Sequence, residues 1–167
     1  SFFTINSIYY ICQYINEFMG KFVKGDRKHM ALIRSKNTKP EVIVRKYLFQ
    51  KGFRYRVHVK KLPGTPDIVL KRYKTVIFIN GCFWHGHANC SIYKIPKTNT
   101  EWWISKISKN QQNDVQHYLQ LRIMGWHVMT LWECQLKSNQ REEVLKAMIY
   151  LLEKTFLDDL RNKKSKN

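Results

Sequence analysis

Acidic residues are scarce in this chain of 167 residues: 12 Asp and Glu stand against 30 Lys and Arg, a formal net charge of +18. So one-sided a balance implies self-repulsion unless the charge meets a polyanion, which makes nucleic acid the leading partner. A membrane surface is the competing polyanion. The basic residues, however, run the whole length of the chain and do not gather on one face of an amphipathic helix. Cysteine is also sparse, at four residues, and the company these keep argues against a disulfide framework. Cys82, Cys90 and Cys134 lie beside His or Trp in structured-looking segments, which favours metal ligation, and Cys12 stands apart. Long apolar runs are missing. The opening "SFFTINSIYYICQYINEFMG" is interrupted by Asn6, Gln13, Asn16 and Glu17 and lacks a basic leader. It reads as neither a signal peptide nor a membrane span. No internal repeat is visible, and the length fits one domain with a core large enough to stand without staples.

Along the chain, "TKPEVIVRKYLFQKG" offers Thr38 as a cap, Pro40 and Glu41 in the first turn and Gly52 as a stop, which predicts a helix. "FRYRVHV" alternates Phe53, Tyr55, Val57 and Val59 with Arg54, Arg56 and His58, the period of a strand with one basic face. After the turn "KLPGTP", the runs "DIVL" and "TVIFI" flank "KRYK" and predict a hairpin with a deeply buried second strand. Apolar residues at helical spacing from Trp103 to Leu119 predict a long helix that ends at Gly125 and breaks near Asn110. "WHVMTLWEC" is a further strand, Arg141 to Leu160 a last helix, and "RNKKSKN" a disordered basic end. The pattern is that of an α/β domain with a mixed central sheet.

The densest chemistry lies in "NGCFWHGHANC", residues 80 to 90. Cys82, His87 and Cys90 have metal-ligand spacing, and Cys134 follows a strand that could lie beside the one leading to Cys82. Three Cys and one His would make a closed tetrahedral zinc site, which holds a fold together and leaves no position for water; buried cysteines packing as small hydrophobes are the alternative. His85 is left over for work as a base, an acid or a donor. Asp67 opens a strand in a region almost free of acid, where it could serve a hard cation such as Mg2+ or simply cap a turn. Glu41, Asp67, His85 and Asp114 are the polar groups whose elements could converge on one sheet end. Phe83 and Trp84, with Trp102 and Trp103, could wedge into a duplex or pack as core.

Together, "RSKNTKPE", "FRYRVHVKKLPGTPDIVL", "VIFINGCFWHGHANC", "TEWWISKISKNQQND" and "GWHVMTLWEC" resemble the very short patch repair (Vsr) endonucleases, in order from about Asp26 to Leu152. The resemblance implies a restriction-endonuclease-like PD-(D/E)XK fold with helices flanking the sheet, a catalytic Mg2+, a structural Zn2+, and nicking of double-stranded DNA 5′ of the thymine in T·G mismatches left by deamination of 5-methylcytosine. Carried over by position, Asp67 matches the metal-binding aspartate and His85 the catalytic histidine, with Asp114 and Glu41 the supporting acids. Cys82, His87, Cys90 and Cys134 match the zinc ligands, and Phe83, Trp84 and Trp103 the aromatics that enter DNA.

Two departures accompany the match. Ile79-Asn80 stands where the best-studied pattern has Thr-His; Ile79 can still offer a carbonyl to Mg2+, whereas Asn80 cannot act as acid or base. The zinc loop carries one extra residue before its second cysteine, leaving open which histidine ligates. The domain is expected over residues 25–155, between an extension over 1–24 of unread role and a basic tail over 156–167. Expected with it are a monomer in the cytoplasm at the nucleoid, without membrane contact, and mismatch-repair proteins and a cytosine-5 DNA methyltransferase as partners. A restriction-type or nicking nuclease for another DNA site, and a catalytically weakened DNA-binding module, are the rival readings.

Overall fold

The computed structural model describes residues 36–137 and 139–165. The extension read over residues 1–24, Cys12 and the start of the resemblance at Asp26 lie outside the described residues. Helix α1, Lys39–Gln50, begins where Thr38 takes an extended backbone and Glu41 reaches back to it, and its end is closed by Gly52. There the Phe53 N–H reaches Leu48 O at 2.9 Å and the Gly52 N–H reaches Phe49 O at 3.0 Å, with Gly52 at φ +84°. Such a stop needs a left-handed residue, which glycine adopts without cost.

The predicted strand over 53–59 shrinks to β1, Arg56–Val57. Its alternation fails at His58, whose backbone sits at φ +47° and ends the pairing. The hairpin holds as expected: β2, Ile68–Leu70, runs antiparallel to β3, Thr75–Asn80, across a 3-10 turn at Lys71–Tyr73. Helix α2, Thr100–Ile123, is continuous, without the expected break at Asn110. Asn110 donates its side-chain amide to Trp84 O at 2.9 Å, so the group that competes with helix backbone is engaged elsewhere. Strand β4, His127–Trp132, stops before Glu133, and Glu133–Lys137 forms the short helix α3. Helix α4 runs from Arg141 to Lys164, through residues expected to be disordered tail. Arg161, Lys163 and Lys164 close its last turn, where cations meet the negative end of the helix dipole.

The sheet order is β1-β2-β3-β4, with β4 parallel to β3 in the register Thr75↔His127 through Asn80↔Trp132. The two-residue period sorts the strands onto two faces. Ile68, Leu70, Ile77 and Leu131 pack with Val44 and Leu48 of α1, Leu136 of α3, and Leu145, Met148 and Leu152 of α4. Val69, Val76 and Phe78 face the other way, against Leu121 and Tyr118 of α2. The product is a mixed sheet between helical layers, as the sequence pattern implies. No helix of the described residues is long and apolar enough to cross a membrane.

Ile77 sits at the centre of this sheet with no exposure, between Ile68 and Met129. Truncating it in Ile77→Ala is expected to cost about 2–5 kcal/mol, read as a lower urea midpoint at unchanged slope.

Candidate active site and metal centre

An antiparallel β2 and a parallel β4 bring the start of β2 and the ends of β3 and β4 to the same sheet edge. Asp67 precedes β2, the loop from Gly81 follows β3, and Cys134 lies just past β4. The β2–β3 ladder ends at Ile68↔Ile77, and beyond it the Ile79 N–H is taken by Asp67 Oδ2 at 2.7 Å. That bond fixes the carboxylate at the sheet end. Burial is the main force on Asp67 and raises its pKa, the Ile79 N–H opposes it, the Glu41 carboxylate raises it further, and His58 and His85 lower it. A carboxylate so placed is short of positive charge, the condition a divalent cation relieves.

His85 and Asp114 meet at 2.5 Å, His85 Nδ1 to Asp114 Oδ2. A carboxylate on one ring nitrogen orients the imidazole and fixes which nitrogen is left to face outward. Helix α2 carries the loop on one face: Asn110 binds Trp84 O, and Gln111 Nε2 lies 3.3 Å from both His85 O and Gly86 O. Asn110, Gln111 and Asp114 sit at the spacing of one helical face. Gly86 lies at φ +60°, and a Cβ there would come within 2.9 Å of Ile107 Cγ2, so a glycine is what lets the loop lie against α2.

The two histidines of the loop take different company. His87 Nδ1 lies 3.6 Å from Cys82 Sγ and 3.4 Å from Cys134 Sγ, and donor atoms of Cys82, His87, Cys90 and Cys134 all fall within 4.8 Å of one another. A tetrahedral zinc with bonds of about 2.3 Å to sulfur and 2.0 Å to nitrogen would set sulfur and nitrogen about 3.5 Å apart. The donor set therefore fits zinc in chemistry and spacing. The His87 ring stacks on Trp132, centroids 4.1 Å apart and planes within 3°. Burial pushes the Cys82 thiol up to about 12, so a thiolate there needs a cation beside it. Cys90 shifts the other way, chiefly because the Ile92 N–H bonds it.

Phe83, Trp84 and Trp103 form one half-buried cluster, with centroids 5.1 Å apart for Phe83–Trp103 and 6.0 Å for Trp84–Trp103; Trp102 stacks edge-on to Trp103 at 4.6 Å. Of the other predicted positions, Glu41 comes close to Asp67, their ligand atoms within 4.8 Å of each other. Asn80 is buried and donates its amide to Tyr118 Oη at 3.2 Å. Glu41, also buried, accepts the N–H groups of Asn37 and Thr38 at 3.0 and 3.1 Å and the Thr38 hydroxyl at 2.8 Å. His58, which sequence reasoning counted only as part of a basic strand face, lies between Glu41 and Asp67 instead. The one sequence signal for it was a lone histidine two residues after Arg56 in an otherwise regular alternation.

The profile of the family described as "DNA mismatch endonuclease Vsr" matches residues 19–91. A type II nicking enzyme of Neisseria meningitidis serogroup A, V.NmeAIP, is 53% identical over 109 residues, covering 65% of this chain and 77% of that protein. Another, V.XorIIP of Xanthomonas oryzae pv. oryzae, is 46% identical over 109 residues, 65% of this chain and 79% of its own. The protein named DNA mismatch endonuclease Vsr of Escherichia coli K12 is 40% identical over 114 residues, 68% of this chain and 72% of its own.

Because the folded state holds the Asp67 pKa above that of the unfolded chain, ionising Asp67 costs stability. The cost is absent below the unfolded-state pKa and grows as pH rises through the folded-state value. Without divalent cations, Asp67→Asn is expected to melt above the parent protein at neutral pH, with the gap closing in acid. Melting curves across pH check this; a lower melting temperature at pH 7 would contradict it.

Proposed function

The chain belongs to the Vsr family of DNA endonucleases, and from that premise we propose that it is a Mg2+-dependent endonuclease that nicks one strand 5′ of the thymine in a T·G mismatch. The restriction-endonuclease-like PD-(D/E)XK fold belongs to this reading, and the mixed sheet with Asp67 at its end supports it. The observation that carries it is the loop from Cys82 to Cys90: one short segment carries His85, which meets Asp114 of α2, together with two of the clustered aromatics and three of the four Cys and His donors. Chemistry and a wedge for DNA are thus mounted on a single rigid support.

Asp67 and the Ile79 carbonyl would hold Mg2+, which when bound supplies charge neutralisation at the scissile phosphate and at the leaving 3′ oxygen. His85, oriented by Asp114, takes a proton from the attacking water as its oxygen bonds to phosphorus. The P–O3′ bond breaks, the 3′ oxygen regains a proton, and the products are a 3′ hydroxyl and a 5′ phosphate. Glu41 supports the carboxylate cluster from α1. Asn80, its amide donated to Tyr118, acts by fixing the end of β3. Cys82, His87, Cys90 and Cys134 would hold a structural Zn2+ with no coordination position left for water. Phe83, Trp84 and Trp103 would enter the duplex beside the mismatch, stacking on the bases they unstack. The surplus of basic residues supplies contacts to the phosphates.

A second reading, a nicking enzyme for another DNA site, is favoured by the names of the Neisseria and Xanthomonas relatives, both type II nicking enzymes; a cytosine-5 DNA methyltransferase would be its functional companion. Mismatch-repair proteins are the partners expected under the first. The two readings part on end-labelled duplexes differing only in T·G against C·G, with Mg2+ or EDTA. A Mg2+-dependent single cut beside the mismatched thymine alone is the expected result; equal cutting of both duplexes would transfer the case to the second reading. Asp67→Asn is expected to lose nicking by at least about a hundredfold while retaining DNA binding.

Cys134→Ser removes one donor of the zinc set. It is expected to lower both the zinc content and the melting temperature. Unchanged values of both would remove Cys134 from the site.

A further inference from the structure

His58 has no part in the chemistry described above, yet it stands inside the acidic cluster. Its Nε2 lies 3.3 Å from Glu41 Oε2 and its Nδ1 3.9 Å from Asp67 Oδ1. Ligand atoms of Glu41, His58 and Asp67 all fall within 4.8 Å of one another. We propose that these three residues form a divalent-cation site with a nitrogen ligand, suited to Mn2+ and similar transition ions as well as to Mg2+. The proposal rests on the reading of Asp67 as the cation-binding carboxylate and goes beyond it in ligand set and metal preference.

Three observations carry it. First, His58 Nε2 is shielded from solvent and has no hydrogen-bond partner, although Glu41 Oε2 is near. A buried polar atom left unsatisfied calls for a missing partner. Second, Glu41 keeps acceptor capacity in the right place. Oε1 takes the Thr38 N–H and hydroxyl, whereas Oε2, the oxygen facing His58, takes only the Asn37 N–H. A carboxylate oxygen has two lone-pair sites, so Oε2 has one to offer. Third, the His58 backbone is left-handed, at φ +47°, where β1 ends, and its N–H still reaches Asp67 O at 3.4 Å. The departure from the strand turns the residue away from the basic face that the alternation assigns it and into the carboxylates.

The donor set then decides the metal. Mg2+ takes oxygen ligands and sheds its waters reluctantly, whereas Mn2+ and later divalent ions accept imidazole more readily. His58 therefore gives transition ions an advantage that Asp67 and the Ile79 carbonyl alone would not.

The test is Mn2+ binding to the full-length protein without DNA, followed by electron paramagnetic resonance. In the parent protein the bound Mn2+ is expected to show nitrogen coupling from imidazole. His58→Gln is expected to remove that coupling and weaken Mn2+ binding by about tenfold or more, while Mg2+ competition through Asp67 changes little. Asp67→Ala is expected to lose both ions. Bound Mn2+ without nitrogen coupling in the parent, a measurement that needs no variant to fold, would overturn the His58 site and leave the Asp67 reading standing. Persistence of the coupling and of the affinity in His58→Gln would overturn it as well. Undiminished binding of both ions to Asp67→Ala would bring down the cation role of Asp67 itself, and the His58 site with it.

Discussion

The parallel pairing of β3 with β4 is the contact on which the rest of this molecule depends. Six residues of each strand lie in register, from Thr75 beside His127 to Asn80 beside Trp132. They join segments separated by the whole of the Cys82–Cys90 loop and helix α2. Closing so long a stretch costs conformational entropy, which the buried faces of Val76, Ile77, Phe78 and Leu131 offset. Because the strands are parallel, their ends arrive together. Cys82 and Cys134 meet for that reason, the Cys134 N–H lying 3.4 Å from Cys82 Sγ.

Helix α2, which makes the crossover, is also the frame of the site. It packs Leu121 and Tyr118 on the sheet and turns Asn110, Gln111 and Asp114 toward the loop. The same helix thus joins the strands, holds the loop backbone and orients His85. Sharing these tasks couples the fold to the geometry of the candidate site: a change that tilts α2 moves Asp114 and the aromatic cluster at once. The acidic cluster runs against stability in the other direction. Asp67 is half-buried beside the buried Glu41, two carboxylates in a strongly basic protein whose positive charge is spread elsewhere. A hard cation bound there, as proposed for this site, would offset that local concentration of acid.

Much of this was legible beforehand, and the exceptions have particular causes. The hairpin of β2 and β3, the Gly52 and Gly125 stops and the grouping of Cys82, His87 and Cys90 follow from local rules or from spacing. Asn110 misled because an asparagine's tendency to break helices depends on whether its amide is free, and Trp84 O, 26 positions away, takes it. The basic end of α4 looked like a tail because charge suggests disorder, yet the preceding turns carry the helix through it. His58 was invisible as a site residue because alternation assigns a face by parity, and one left-handed residue cancels parity.

The sequence by itself determined the α/β layering, the chemical inventory and which residues share a loop or a helical face, since propensity, periodicity and donor type act over a few residues. Only the tertiary structure decided which groups meet across the chain: His85 with Asp114, His87 with Cys134, and His58 with Glu41 and Asp67. Those pairings depend on strand register, on a crossover helix and on one residue's φ. None of these leaves a mark on composition or spacing, because each is fixed by the burial of whole faces and not by the residues that finally touch.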